Sequence, residues 1–368
     1  MQVFIRTDAS IQIGTGHVMR CLTLAKQLKS RNVVVTFICR NLEGNLINFI
    51  TEQGFDVLCL SEIPKTKESP EISHWDWTRD NWFDDAEETI LLLKKVNLPI
   101  ELLVVDHYSI DINWEQKLQS IVKKIMVIDD IADRKHDCDL LLDQNFYCSM
   151  ENRYSNLVPE KCYQFLGPSY ALLREEFLNI NPSKIIRDGT INNILIFFGG
   201  TDSAGATLKI LYAIKELIKV NIIINVVIGF ENPFKEQIES FCNKYENVIL
   251  HCNIDYMANL MSQADLAIGA GGTASWERIY LRLPSVVVTT ASNQLELTRD
   301  LAHTGAIKSL GVIQSILKSD IQSQLKLLID NPQAILKMVE SCNYIINYST
   351  VKKNRVSSRI LEIINDTR

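Results

Sequence analysis

The chain has 368 residues, 46% hydrophobic and 22% charged, which is enough apolar material for two domains with separate cores. Its 38 Lys and Arg against 44 Asp and Glu leave a net charge of −6 with no long basic run, which argues against a phosphate-tracking nucleic-acid surface. Nine cysteines without a C-x-x-C pair read as reduced thiols of a cytoplasmic protein; no leader pattern and no apolar run near the roughly 18 residues of a membrane span is found, so no membrane insertion is expected.

The first predicted strand, 2–6, runs into Gly14-Thr15-Gly16-His17 and then a helix-like stretch from Met19 to Lys26. Gly14 and Gly16 let backbone approach a ligand, helix N–H groups favour anionic or polar atoms, and the His17 imidazole moves protons near neutral pH. The turn reads either as an active site or as a tight strand-to-helix connection in which His17 caps or fills space. Further strands are expected at 33–38, 56–60, 101–106, 124–129 and 140–142, apolar at nearly every position, as buried parallel strands are. Asp106-His107-Tyr108 and Asp129-Asp130 fall at strand C-terminal ends, where open α/β sheets bind ligands. The segment 61–82, with two prolines and three tryptophans, reads as a long loop.

The polar stretch Asn179 to Lys184 reads as a linker to a second unit of the same architecture, with strands at 192–198, 221–228, 247–251, 265–269 and 285–289 and helix from about 316 onward. The expected fold is α/β: two Rossmann-like doubly wound domains, 1–178 and 185–345, facing across a cleft, with a C-terminal helix at 346–368. The second unit carries two glycine runs, Gly199-Gly200-Thr201-Asp202 and Gly269-Ala270-Gly271-Gly272-Thr273, each after a strand and before a helix. Such runs present backbone N–H groups to a phosphate, or merely shape a turn; together with the His17 turn they point to a nucleotide bridging the cleft. Neither matches the P-loop pattern. Glu277, one turn into the helix after the second run, is placed either to accept from a ribose diol or to favour the helix dipole. His136-Asp137-Cys138-Asp139 mixes metal-ligand types, but its spacing fits no tetrahedral site and reads as structural. No G-x-S-x-G elbow supports serine hydrolysis.

Arg6 to Cys21, Val104 to Tyr108, Ile128-Asp129-Asp130, Tyr170 to Phe177 and Phe198 to Asp202 resemble, in order, successive blocks of the UDP-2,4-diacetamido-2,4,6-trideoxy-β-L-altropyranose hydrolases of pseudaminic acid biosynthesis. That family resembles the glycosyltransferase B superfamily. The resemblance implies that His17 is the general base on a turn shaped by Gly14 and Gly16. It also implies that Tyr108 and Asn293 line the sugar pocket and that Arg174 and Glu277 contact the nucleotide-sugar. The implied reaction is attack of water on the anomeric carbon of a UDP-sugar, without metal or other cofactor, by a monomeric cytoplasmic enzyme serving surface-glycan and flagellin glycosylation. A transferase passing the sugar to an organic acceptor is the alternative, and a nucleotide-sugar-binding protein without turnover is a third reading.

Overall fold

The computed structural model describes residues 1–63, 74–96, 98–216, 222–230 and 232–366, the side chains of residues 74 and 75 excepted. The first unit comprises Met1–Asn145, Ser149–Leu172 and Asn354–Arg368, the second Phe146–Cys148 and Leu173–Lys353. Each is built on its own parallel sheet.

In the first unit the strands are β1 (Gln2–Thr7), β2 (Val34–Arg40), β3 (Asp56–Leu60), β4 (Leu102–Asp106), β5 (Ile125–Ile128), β6 (Leu140–Asp143) and β7 (Tyr163–Leu166), in the order 3-2-1-4-5-6-7. Ile5 sits between Phe37 of β2 and Val104 of β4. Because successive side chains alternate faces, Val3 and Ile5 enter one core layer with Val104 and Leu24, while Phe4 enters the other with Leu103 and Trp114. Both layers are buried, which is why the central strands read as continuous apolar runs. The helix Val356–Asp366 lends Val356, Ile360, Ile363 and Ile364 to the first of these layers, beside the helix Gly16–Lys29. Ser357 Oγ also donates to Gln27, and Arg31 donates to Ser358 Oγ.

Charge inside this unit is paired, as burial requires. Asp85 takes Arg6 at 2.9 Å, Arg40 at 2.7 Å and the Trp114 indole N–H at 2.9 Å. Burial would push its carboxyl up, but the two guanidinium groups prevail and lower it to about 2. This cluster ties the helix Trp82–Lys94 to β1 and β2.

The second unit has β8 (Asn193–Phe197), β9 (Ile223–Ile228), β10 (Val248–Cys252), β11 (Leu266–Ala270), β12 (Ser285–Thr289) and β13 (Ile307–Val312), in the order 10-9-8-11-12-13. Ile194, Ile196, Val226, Ile268 and Val288 pack against helices Ala206–Ile214 and Lys318–Ile329.

Several sequence expectations differ from the structure. The edge strands β7 and β13 have no counterpart among the predicted strands. Of the expected loop 61–82, residues 64–73 lie outside the described residues, and the rest includes the helix His74–Asp80 and the start of the helix Trp82–Lys94. The expected linker at 179–184 lies inside the second unit, which begins at Leu173. The expected helix 346–368 is two helices, Tyr348–Lys353 in the second unit and Val356–Asp366 in the first. Among the described residues, no helix is long and apolar enough to cross a membrane.

Candidate active site

In each sheet the strand order reverses once, between β1 and β4 in the first unit and between β8 and β11 in the second. Loops leaving two such neighbours diverge to opposite faces and open a crevice at the strand ends. His17 and Tyr108 follow β1 and β4. The two glycine runs follow β8 and β11.

At the first reversal, β1 leads into a turn closed by Gly14 N–H donating to Ser10 O at 2.9 Å. Gly14 has φ of +79°, a left-handed value that favours glycine. Gly16 opens the helix Gly16–Lys29 with no such constraint, and a Cβ there would meet nothing within 4 Å. Packing within the chain therefore does not call for glycine at 16. The first turn of the helix has no side-chain cap and no acidic residue.

His17, in that first turn, is 7% exposed and places Nδ1 2.6 Å from Asp106 Oδ1, at the end of β4. Arg20, one turn on, grips the same carboxylate through Nε to Oδ2 and Nη2 to Oδ1, both 2.6 Å, and reaches Asp130 Oδ2 with Nη1 at 2.8 Å. Cys21 Sγ adds a donor to Asp106 Oδ2 at 3.4 Å. Tyr108 donates its hydroxyl to Asp130 Oδ1 at 2.8 Å, and its ring stands edge-on to the His17 ring, centroids 4.5 Å apart. Burial alone would raise the Asp106 carboxyl, but Arg20 and then His17 outweigh it and hold it well below the usual carboxylate range. Asp130 is lowered in the same way, burial being overcome by Arg20 and helped by Tyr108. An anionic Asp106 fixes the Nδ1–H tautomer of His17, so the lone pair is carried by Nε2.

Nearby, Asp143 at the end of β6 accepts from Tyr154 Oη at 3.0 Å and from the Asn145 N–H at 2.9 Å. Burial, with the neighbouring Asp130 charge, pushes its carboxyl up to about 8.

At the reversal in the second unit, the run Gly199-Gly200-Thr201 does not offer the helix start to a ligand. Asp202 caps the helix Ala206–Ile214, accepting from Ala206 N–H at 3.0 Å and Thr207 N–H at 2.8 Å. Gly200 is instead where β9 closes in: its carbonyl accepts from Gly229 N–H at 2.9 Å, while a Cβ on Gly200 itself would meet nothing. In the other run, a Cβ at Gly271 would stand 2.3 Å from Thr298 Oγ1, so that glycine is demanded by close packing. Gly272 and Thr273 are half-buried ahead of the helix Ala274–Tyr280. Asn293 is exposed, in the turn Ser292–Gln294 after β12.

Glu277 is buried, and Arg174 holds both its oxygens, Nε to Oε1 at 2.7 Å and Nη2 to Oε2 at 3.1 Å. Arg174 also pairs with Glu176 at 2.7 Å. Burial works against its charge, but Glu277 prevails and raises its pKa. The two residues that the family resemblance directs at substrate are thus directed first at each other. His136, from the mixed-ligand cluster, pairs with buried Glu115 at 2.6 Å.

Sequence reasoning set Asp106 and Asp130 at ligand-binding strand ends without linking either to His17, and gave no role to Arg20, although the i, i+3 spacing of His17 and Arg20 on one helix face was a local signal.

Two doubly wound parallel sheets, each with polar residues at its reversal, are the architecture of the glycosyltransferase B fold. The chain superposes on Acinetobacter baumannii MurG with a TM-score of 0.65 at 14% identity, covering 98% of this chain and 99% of that one. Residues 194–359 match the glycosyltransferase family 28 C-terminal domain. The chain belongs to the family of the UDP-2,4-diacetamido-2,4,6-trideoxy-β-L-altropyranose hydrolase of Campylobacter jejuni, to which it is 32% identical over 83% of its length and 97% of that protein's. It is also 24% identical to the spore coat polysaccharide biosynthesis protein SpsG of Bacillus subtilis, over 85% of this chain and 84% of that protein.

Proposed function

We propose that the protein hydrolyses a UDP-linked 2,4-diacetamido-2,4,6-trideoxy hexose to UDP and the free sugar. The observation that carries this reading is the His17–Asp106 pair at 2.6 Å beside the β1/β4 reversal, in a chain of that hydrolase family. In the proposed step, water attacks the anomeric carbon as the bond to the diphosphate oxygen breaks. The water proton passes to His17 Nε2, the bonding pair leaves with UDP, and the configuration inverts. A base contributes about 10²–10⁴ in rate, which suits a leaving group as good as a nucleoside diphosphate. The second unit holds the nucleotide: backbone N–H groups around Gly200, Thr201, Gly271, Gly272 and Thr273 meet the diphosphate, without a metal. Each oxygen of Glu277 retains a lone pair beyond its bond to Arg174, so the pair accepts ribose hydroxyls as a preset unit. Tyr108 and Asn293 are assigned to the sugar, as the family resemblance implies.

The test is incubation of the pure protein with the UDP-sugar alone. Release of UDP in water, lowered about 10²-fold or more in His17→Asn with UDP affinity kept and undiminished by EDTA, is the expected result. Release that needs an organic acceptor would favour the second reading, a transferase, which the family 28 match and the fold of MurG support. Binding without release would leave a nucleotide-sugar-binding protein.

A further inference from the structure

Asp130 touches two residues of the proposed machinery at once. One oxygen accepts from Tyr108 Oη and the other from Arg20 Nη1, each at 2.8 Å, and Arg20 is the guanidinium that also grips Asp106. Its backbone is fixed independently, because Arg153 donates to the Asp130 carbonyl at 3.0 Å and to the Ile131 carbonyl at 3.2 Å. The hydrogen bonds therefore form one chain, Tyr108 to Asp130 to Arg20 to Asp106 to His17, and the ring contact between Tyr108 and His17 closes it. A planar guanidinium shared by two carboxylates transmits orientation, since its donors keep a fixed fork.

We propose that Asp130 is a positioning residue that sets Tyr108 and, through Arg20, the His17–Asp106 pair, so that the base and the sugar-facing phenol are aligned by one shared cation. This rests on the functional reading above. Asp130 is not itself assigned to substrate. Asp143 and Arg153 are the other charged groups that face it.

The test is a double-mutant cycle on kcat with Asp130→Asn and Tyr108→Phe. In the wild-type background Asp130→Asn should lower kcat about tenfold and leave the UDP dissociation constant within about twofold. In the Tyr108→Phe background the same change should cost less, about threefold, because the Tyr108 contact is already gone and only the route through Arg20 remains. Equal losses in both backgrounds, or no loss in the first, would overturn the proposal, since a merely structural role multiplies through. If Asp130→Asn does not fold, Asp130→Glu keeps the charge for Arg20, displaces the oxygen facing Tyr108, and should match Tyr108→Phe in kcat; a wild-type rate there also overturns the proposal. If the wild type releases no UDP without an acceptor, the hydrolase reading fails separately. The cycle is then read from the ring signals of histidine-labelled protein, which has only 6 histidines. The His17 signals should move with Asp130→Asn in both backgrounds, and less in the Tyr108→Phe background, where only the route through Arg20 is left; unmoved signals in the first case would refute the coupling.

Discussion

Asp106→Asn isolates the role of the carboxylate under His17. In the wild type that carboxylate receives N–H donors from His17 and twice from Arg20, all at 2.6 Å, and the Cys21 thiol at 3.4 Å. An asparagine keeps one oxygen and puts an NH₂ where the other was, so one of those donors must face another donor. If the NH₂ faces His17, the imidazole proton moves to Nε2 and the lone pair that should take the water proton points back into the protein. The expected loss in kcat is about 10²–10⁴, the upper end being what the wrong tautomer costs in a Ser-His-Asp triad. The stability cost lies toward the low end of the about 3–5 kcal/mol for breaking a buried pair, because Arg20 keeps Asp130. The pH dependence has a definite sign. A carboxyl lowered in the folded state gives stability that is complete above its unfolded pKa of about 3.9 and is lost as pH falls below that value. The variant should therefore show a shallower acid limb below about pH 4. Steady-state UDP release, thermal melts from pH 2 to 7 and calorimetric titration of UDP measure these effects. A near wild-type kcat in a folded variant would refute the tautomer argument.

Gly200→Ala and Gly229→Ala should separate binding from folding. The first meets open space and should leave the melting temperature unchanged while weakening UDP, whereas the second places a Cβ 2.3 Å from the Gly200 carbonyl oxygen and should destabilise the second unit, as melts and UDP titrations will show. Glu277→Ala should weaken UDP by about 1–3 kcal/mol in calorimetry and lower the melting temperature by stranding Arg174. Asp143→Asn should reverse the usual sign. A carboxyl raised to about 8 holds its proton in the folded state when the unfolded chain has lost it, so its contribution to stability declines as pH rises from about 4 to 8. The variant should match wild type in melts at pH 4 and exceed it at pH 8; the same difference at both would show that the carboxyl does not titrate there.

The central strands were legible because their burial on both faces leaves mostly apolar residues, as in the run Leu102 to Val105 ahead of Asp106. The edge strands were not. In β7, Tyr163 is 54% exposed and the run is four residues long; in β13, Lys308, Ser309 and Gly311 interrupt the pattern where the pairing with β12 slips at Val287/Val288. The helix His74–Asp80 is short and held by a distant contact, Arg40 lying 4.8 Å from the Trp77 ring centre, which no local periodicity reveals. The site divides the same way. Glycine turns at strand ends are local signals, so His17 and the second-unit runs were visible in the chain. Arg20 meets Asp106 and Asp130 across 86 and 110 residues, and Arg174 meets Glu277 across 103, so only the fold brings them together.

The helix Val356–Asp366 covers the helix that carries His17, and their bonded side chains are separated by as many as 330 residues. On a ribosome adding about 5–20 residues per second, that interval is roughly 15–65 s. In the later part of it the second unit emerges and is free to fold, while the flank of the His17 helix that Ile360 and Ile364 will cover still faces solvent. The unit begun first is therefore finished last, and the N-terminal half is the part of this nascent chain most in need of a chaperone.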